Sequence, residues 1–312
     1  MKAAQITRYG GQDVMVVNDD APKPMIADDQ VLVEVSAAGL NPFDWKVREG
    51  YVQDFITLSL PATLGGDVAG TVAEVGANVK DFTVGQAVYG SANAAAGQGS
   101  FAEFTAVSAS QLATMPEQLD YMQAAALPLA ATSAYQALVE HMQLQAGQKV
   151  LIHGGAGGIG SLAIEIAKSC GAYVATTVAA DNTDFVTELG ADEVIDYKTQ
   201  DFANSLHDYD AVFDTVGGET NAKSYQVLKP GGVLVSMVEP ADDEKVEQAG
   251  ITYIYQSSQA TTARLQKVSQ LISAGDLTVV VAKVFPLEQA SEALEYLKTG
   301  HPKGKVVLRV KP

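Results

Sequence analysis

Along the first third of the chain, apolar residues come in short, partly alternating runs. VLVEVSAAGL (31–40), VAGTVAEVGA (68–77) and SFAEFTAV (100–107) each fit one strand, with glycine, proline and aspartate around them. Pro61, Gly65, Gly66, Gly70, Gly76, Gly85 and Gly90 supply turn residues between them. This pattern predicts a β-rich domain with few helices.

Near residue 122 the period changes. MQAAALPLAATSAYQALVEHM (122–142) has helical spacing, and Pro128 splits or kinks it. KVLIHGGAGGIGSLAIEIAKSCGA (149–172) then reads as a buried strand, a glycine turn and a helix. Strands at YVATTV, EVIDY, AVFDTV and VLVSMV alternate with helices at TDFVTELGA, DFANSLH and NAKSYQVLK. Such alternation predicts a doubly wound parallel sheet covered by helices. The tail breaks this pattern with two amphipathic helices, TARLQKVSQLISAG and LEQASEALEYLKTG, and a closing strand, KVVLRV. We expect a first domain over 1–122, completed by 265–312, and a nucleotide-binding domain over 123–264. At 312 residues, two cores are the natural arrangement.

Composition removes several function classes. Lys and Arg number 20 against 37 Asp and Glu, a formal charge of −17. That field repels a phosphate backbone, and no basic cluster offsets it, so nucleic acid is not an expected partner. No apolar run is long enough for a membrane span, and the N-terminus lacks a signal-peptide core, so a cytoplasmic address is expected. Cys170 is the only cysteine, which excludes an intrachain disulfide and a multi-thiolate metal site. It reads as a small buried hydrophobe.

Gly155, Gly157 and Gly160 fit GxGxxG between the apolar strand VLIH and a helix. The glycines allow backbone amides to approach a pyrophosphate at the positive end of the helix. Gly158 and Ile159 are the preferred donors; a tight packing turn is the alternative. The following strand ends at Val178 without the acid that holds an NAD ribose, and Asp181 comes later, as a cap for a helix near Thr183. The missing acid favours NADPH. No Lys or Arg adjoins the strand end to grip the 2′-phosphate, so the preference is modest and NADH remains possible.

Six stretches together resemble the medium-chain dehydrogenase/reductase superfamily, in its zinc-free quinone oxidoreductase (ζ-crystallin-like) branch. They are GLNPFDWKVREG (39–50), LGGDVAGTVAEVG (64–76), AAALPLAATSAYQAL (124–138), GGAGGIG (154–160), FDTVGG (213–218) and GKVVL (304–308). The resemblance implies a Rossmann sheet plus a β-rich, GroES-like catalytic domain, and hydride transfer from NADPH to a quinone or enone. Zinc-dependent relatives carry cysteine where Asn41 stands and a His-Glu pair where Gly66 and Asp67 stand, so no metal is expected. His141, His153, His207 and His301 lack ligand spacing.

The resemblance also assigns residues. It implies that Asn41 and Asp44 lie near the nicotinamide and substrate, and that Tyr51 lines the substrate pocket. Read locally, Asn41 also suits a turn, Asp44 a helix cap and Tyr51 a packed aromatic. Thr132 corresponds to a residue facing the nicotinamide ribose, Tyr197 to one near the adenosine phosphate, and Val216 and Gly217 to contacts with the central ribose region. Val178, at the strand end, and Lys305 complete the implied cofactor contacts. A solvated charge beside the closing strand is the other reading of Lys305, and His153 reads as structural. No proton donor is identified. The resemblance implies a homodimer paired through a sheet edge, for which VLVSMV is the apolar candidate. A non-catalytic NADPH-binding protein, a redox sensor or structural protein, stays open as the alternative function.

Overall fold

The computed structural model describes residues 1–311. Its internal contacts separate two compact units. One comprises Met1–Leu129, Ala260–Ser273 and the segment from Val279 onward; the other comprises Ala130–Gln259 with Ala274–Thr278.

The first unit is built on two sheets. Strands β1 (Ala3–Ile6), β2 (Met15–Asn18) and β4 (Ala62–Thr63) form a small antiparallel sheet ordered β2-β1-β4. The larger sheet centres on β3 (Gln30–Gly39) and β5 (Asp67–Val75), followed by β6 (Ala87–Ser91) and β8 (Leu112–Thr114). β7 (Phe104–Ser108) pairs with β3, and the tail adds β15 (Val281–Pro286) and β16 (Lys305–Arg309) beyond it. Alternation in β3 and β5 sends Val31, Val33, Val35, Val68 and Val72 into one core. Helix α1 (Pro42–Glu49) follows β3 directly, with Asn41 as N-cap, Pro42 at its first turn and Gly50 left-handed at its end. Gly39 pairs in register with both Asp67 and Val307, so the starts of α1, β5 and β16 meet at one level of the sheet. Helix α2 (Tyr121–Ala125) ends this part of the chain. Pro128 opens α3 (Pro128–Tyr135) instead of kinking a continuous helix, and a π-helical turn at Gln136–His141 follows.

The second unit is a parallel sheet. β9 (Lys149–His153), α4 (Gly158–Ser169), β10 (Tyr173–Val178), α5 (Thr183–Glu188) and β11 (Glu193–Asp196) make its first half. α6 (Phe202–Ser205), β12 (Tyr209–Asp214), α7 (Glu219–Ser224), β13 (Leu228–Ser236), α8 (Asp243–Ala249) and β14 (Thr252–Tyr255) make the second. The order β11-β10-β9-β12-β13-β14 is that of a dinucleotide-binding fold, with the strand order reversing between β9 and β12. Leu151, Ala175, Val212 and Leu234, one from each central strand, share its core.

Two expectations need correction. VLVSMV does not form a sheet edge: its strand, β13, lies between β12 and β14, and covering on both sides explains its apolar character. Asn182, not Asp181, is the N-cap residue of α5; Asp181 sits in a single 3-10 turn, Ala180–Asn182. In the tail, α9 (Thr262–Ala274) and α10 (Ala290–Thr299) match the two amphipathic patterns.

Candidate active site

The glycine turn occupies the point of strand reversal, leading from β9 into α4. Its three motif glycines answer to different constraints. A Cβ on Gly155 would stand 2.1 Å from the Thr176 hydroxyl, and one on Gly160 would stand 2.2 Å from the Gly154 carbonyl. Both are therefore required by packing of the turn itself. Gly157 differs. Its φ of −75° and ψ of 174° suit any residue, and a Cβ would meet only the Gly154 carbonyl, at 3.3 Å. That contact is close, and the carbonyl must give by a few tenths of an ångström to admit a methyl, but no other atom lies within 4 Å. Gly157 is the N-cap of α4 and provides no side-chain cap, so the first amides of a twelve-residue helix, including Gly158 and Ile159, lack a side-chain acceptor. Open space beside those donors suits a diphosphate, and a cofactor phosphate fits this cradle.

The neighbouring strand ends frame the turn. Gly155 N–H donates to the Thr177 carbonyl at 3.2 Å, and the Thr215 hydroxyl donates to the His153 carbonyl at 2.9 Å. Val216 is half-exposed, and Gly217 takes φ 80°. The fully buried Asp214 holds this loop, accepting from Val216 and Gly217 N–H with one oxygen and from Asn221 and Ser236 with the other. At the end of β10, Val178 is buried and its carbonyl accepts Tyr197 N–H at 3.1 Å, which ties the backbone of the exposed Tyr197 to that strand end. Asp196 pairs in register with Val178, an acid that inspection of β10 alone does not reveal. Its carboxylate is engaged by Thr199 and the Lys198 amide, which hold it below the usual carboxylate range. Thr132 is buried within α3.

His153, at the end of β9, is fully buried. Ser224 Oγ donates to the Thr220 carbonyl, so it accepts from His153 Nε2–H at 2.9 Å, and Thr177 Oγ1 donates to Nδ1 at 3.0 Å. Burial pushes its pKa down to about 4, so the ring is neutral and structural, as the sequence suggested.

In the first unit, Asn41, Asp44 and Lys305 gather around a residue not singled out as a site residue, Asp67. All four are at least 95% buried. Asn41 Nδ2 donates to Asp67 Oδ2 at 2.9 Å, and Asp67 Oδ1 accepts Leu129 N–H at 2.9 Å. Lys305 Nζ donates to the Leu40 carbonyl at 2.9 Å, to Asn41 Oδ1 at 2.5 Å and to Asp67 Oδ2 at 3.2 Å. An ammonium has three donors, and all three are engaged here. The cofactor contact implied for Lys305 therefore has no donor left to make it, and the exposed-charge reading fails as well. Asp44 accepts Asn41 N–H at 2.7 Å, so it does serve the start of α1. Burial, with Asp67 adding to it, pushes its carboxyl up to about 7 against the opposing Asn41 hydrogen bond and the Lys305 charge. Tyr51 is exposed and edge-on to Trp45, with ring centroids 6.0 Å apart. Asp67 was visible in the sequence only as a residue replacing a metal ligand; its partner Lys305 lies 238 positions away.

Residues 27–117 match the alcohol dehydrogenase GroES-like domain family, and residues 189–308 match a family described as zinc-binding dehydrogenase. An Arabidopsis thaliana protein named NADPH-dependent alkenal/one oxidoreductase, chloroplastic, is 37% identical over 99% of this chain and 79% of its own. The quinone oxidoreductase structure from Coxiella burnetii superposes with TM-score 0.92 at 34% identity, covering 100% of this chain and 99% of that one. The Escherichia coli quinone oxidoreductase complexed with NADPH gives TM-score 0.90 at 27% identity, over 99% of this chain and 100% of that one.

Proposed function

Because the chain belongs to the medium-chain dehydrogenase/reductase superfamily, in its quinone oxidoreductase branch, we propose that it is an NADPH-dependent reductase of quinones or α,β-unsaturated carbonyls that works without zinc. The observation that carries this reading is Gly157: a glycine whose added methyl would meet a single carbonyl, closely at 3.3 Å, beside helix amides without a side-chain acceptor at the strand-order reversal. NADPH, when bound, supplies a hydride to an electron-poor ring carbon or to the β-carbon of an enone. The chain's residues then have two tasks, holding the diphosphate on the Gly158 and Ile159 amides and stabilising negative charge on the acceptor's carbonyl oxygen. Asn41 is the donor we assign to that oxygen. Val178, Tyr197, Val216 and Gly217 are assigned to the adenosine and ribose side, Thr132 to the nicotinamide ribose, and Tyr51 to the acceptor.

The zinc-free part rests on ligand chemistry. Asn41 and Gly66 replace side chains that would bind metal, and among the described residues no three His, Cys, Asp or Glu side chains group as a metal site. An activated acceptor does not require a Lewis acid to polarise it. The test is NADPH consumption with a quinone and an enone panel before and after exhaustive chelation. Rates should be unchanged by chelation; loss of activity restored by one zinc per chain contradicts this part.

The homodimer also belongs to this reading. Among the described residues β14 pairs only with β13, leaving an open edge with Tyr255 exposed, where a second copy can continue the sheet about a two-fold axis. Sedimentation at micromolar concentration should give twice the chain mass, and a monomer there removes the dimer from the account. No helix among the described residues is long and apolar enough to cross a membrane.

A further inference from the structure

We propose that Lys305 and Asp67 are positioning residues that lock the Asn41 carboxamide in one orientation, leaving its second N–H as the donor this amide presents to the carbonyl oxygen of an acceptor. The acceptor's identity rests on the reductase reading above; the locking rests on the cluster alone.

The orientation of an amide is ordinarily ambiguous, because its oxygen and nitrogen look alike. Here chemistry fixes it. Lys305 can only donate and the Asp67 carboxylate can only accept, and they approach opposite ends of the same amide, at 2.5 Å and 2.9 Å. Turning the amide over would set its NH2 against an ammonium and its oxygen against a carboxylate. Both hydrogen bonds would become repulsions inside a buried cluster.

Lys305 has given its three hydrogens to Leu40, Asn41 and Asp67. Asp67 has both oxygens engaged, one by Leu129 and the other by Asn41 and Lys305. Asn41 Oδ1 is occupied by Lys305, and Nδ2 spends one hydrogen on Asp67, so one N–H remains. A carboxamide free to rotate would show an incoming carbonyl its oxygen part of the time, which repels. Fixed as it is, it always shows a donor. The charge pair therefore acts on an acceptor through Asn41 and makes no direct contact with it.

Two measurements on the full-length protein test this. The first uses turnover of 3-penten-2-one with saturating NADPH in Asn41→Ala, Lys305→Met and the double variant. Removal of one donor to a developing oxyanion lowers kcat roughly 10²- to 10³-fold, and Asn41→Ala should fall in that range. Lys305→Met should lose a similar factor, and the double variant should be no slower than Asn41→Ala, because the lysine acts through the asparagine. A double variant slowed by the product of the two single losses overturns the proposal, as does Asn41→Ala turning over like the parent. If Lys305→Met alone does not fold, because it strands a buried carboxylate, Asp67→Asn/Lys305→Met removes both charges and serves the same comparison.

The second needs no turnover. The Asn41 side-chain amide signals, assigned by their loss in Asn41→Ala, should exchange slowly with solvent in the parent and at least tenfold faster once Lys305 is Met. Unchanged exchange overturns the locking. A parent that reduces neither quinone nor enone, yet shows the slow amide and its release, contradicts the proposed function while leaving the positioning intact.

Discussion

Gly157→Ala separates what the fold needs from what the cofactor needs. The backbone at this position is extended, so alanine adopts its φ and ψ without strain, but its methyl would stand 3.3 Å from a backbone carbonyl oxygen, which must give by a few tenths of an ångström. Alanine is a poorer N-cap than glycine, which costs about 0.5–1 kcal/mol. In a chain of 312 residues that lowers Tm by about 1–2 °C. The effect on binding should be larger. The methyl would enter the space beside the Gly158 and Ile159 amides and hold the diphosphate away from them. Each charge-assisted hydrogen bond lost is worth roughly 1.5–3 kcal/mol, so losing even one weakens NADPH affinity by roughly ten- to a hundredfold. Gly160→Ala is the contrast, since its methyl would lie 2.2 Å from the Gly154 carbonyl and the turn itself must shift. Calorimetric titration with NADPH, alongside thermal unfolding of both variants, reads the two effects separately. Gly157→Ala binding NADPH within twofold of the parent refutes the assignment of this cradle, and a collapse in its Tm refutes the claim that the carbonyl can give to admit a methyl.

Other consequences can be checked independently. Asp44 has its carboxyl raised to about 7 in the folded protein from an ordinary 3.8, so the folded state binds the extra proton between those values. Its contribution to stability is therefore complete below about pH 4 and lost as pH rises toward 7, by roughly 4 kcal/mol at most. Asp44→Asn, which cannot ionise, should become more stable relative to the parent by a few kcal/mol between pH 4 and 7 in denaturant titrations, and a pH-independent difference contradicts the burial argument. His153 has the opposite sign: held near 4 against an ordinary 6.5, it contributes stability above pH 6.5 that is lost as pH falls toward 4. His153→Gln should flatten that acid limb, and an unaltered limb contradicts the neutral-ring assignment. For cofactor choice, kcat/KM should favour NADPH modestly; Ala180→Lys should sharpen the preference and Tyr197→Phe should weaken it. A tenfold preference of the parent for NADH contradicts this.

The repeating βα pattern of the second unit was legible because each buried strand is a compact apolar run and each helix an amphipathic one. The sheet edge was not. VLVSMV is the more apolar segment because β13 is covered on both sides, whereas the true edge, Thr252–Tyr255, carries threonine and tyrosines that a solvent-facing strand tolerates. The glycine motif was legible as a pattern, but the division of labour within it depends on the Thr176 hydroxyl and the Gly154 carbonyl, neither of which the motif specifies. The buried cluster had the same limit. Asn41 and Lys305 were candidates by resemblance, yet the hydrogen bonds that give them roles run between residues 41, 67 and 305, joined only by the register of three strands. In helix α1, Asp44 suited a cap or a site contact, and its bond to Asn41 N–H shows the capping part, which the residue pattern already offered.

The central claim is hydride transfer from NADPH to an activated carbon, and the most direct test follows the hydride itself. The chelator-treated protein is incubated with NADPH deuterated at the nicotinamide C4 and 3-penten-2-one, and the product is examined by mass spectrometry and proton NMR. The account predicts pentan-2-one carrying a single deuterium on the former β-carbon. Deuterium on the carbinol carbon of an allylic alcohol, or cofactor that binds and is never consumed with any enone or quinone, would contradict it.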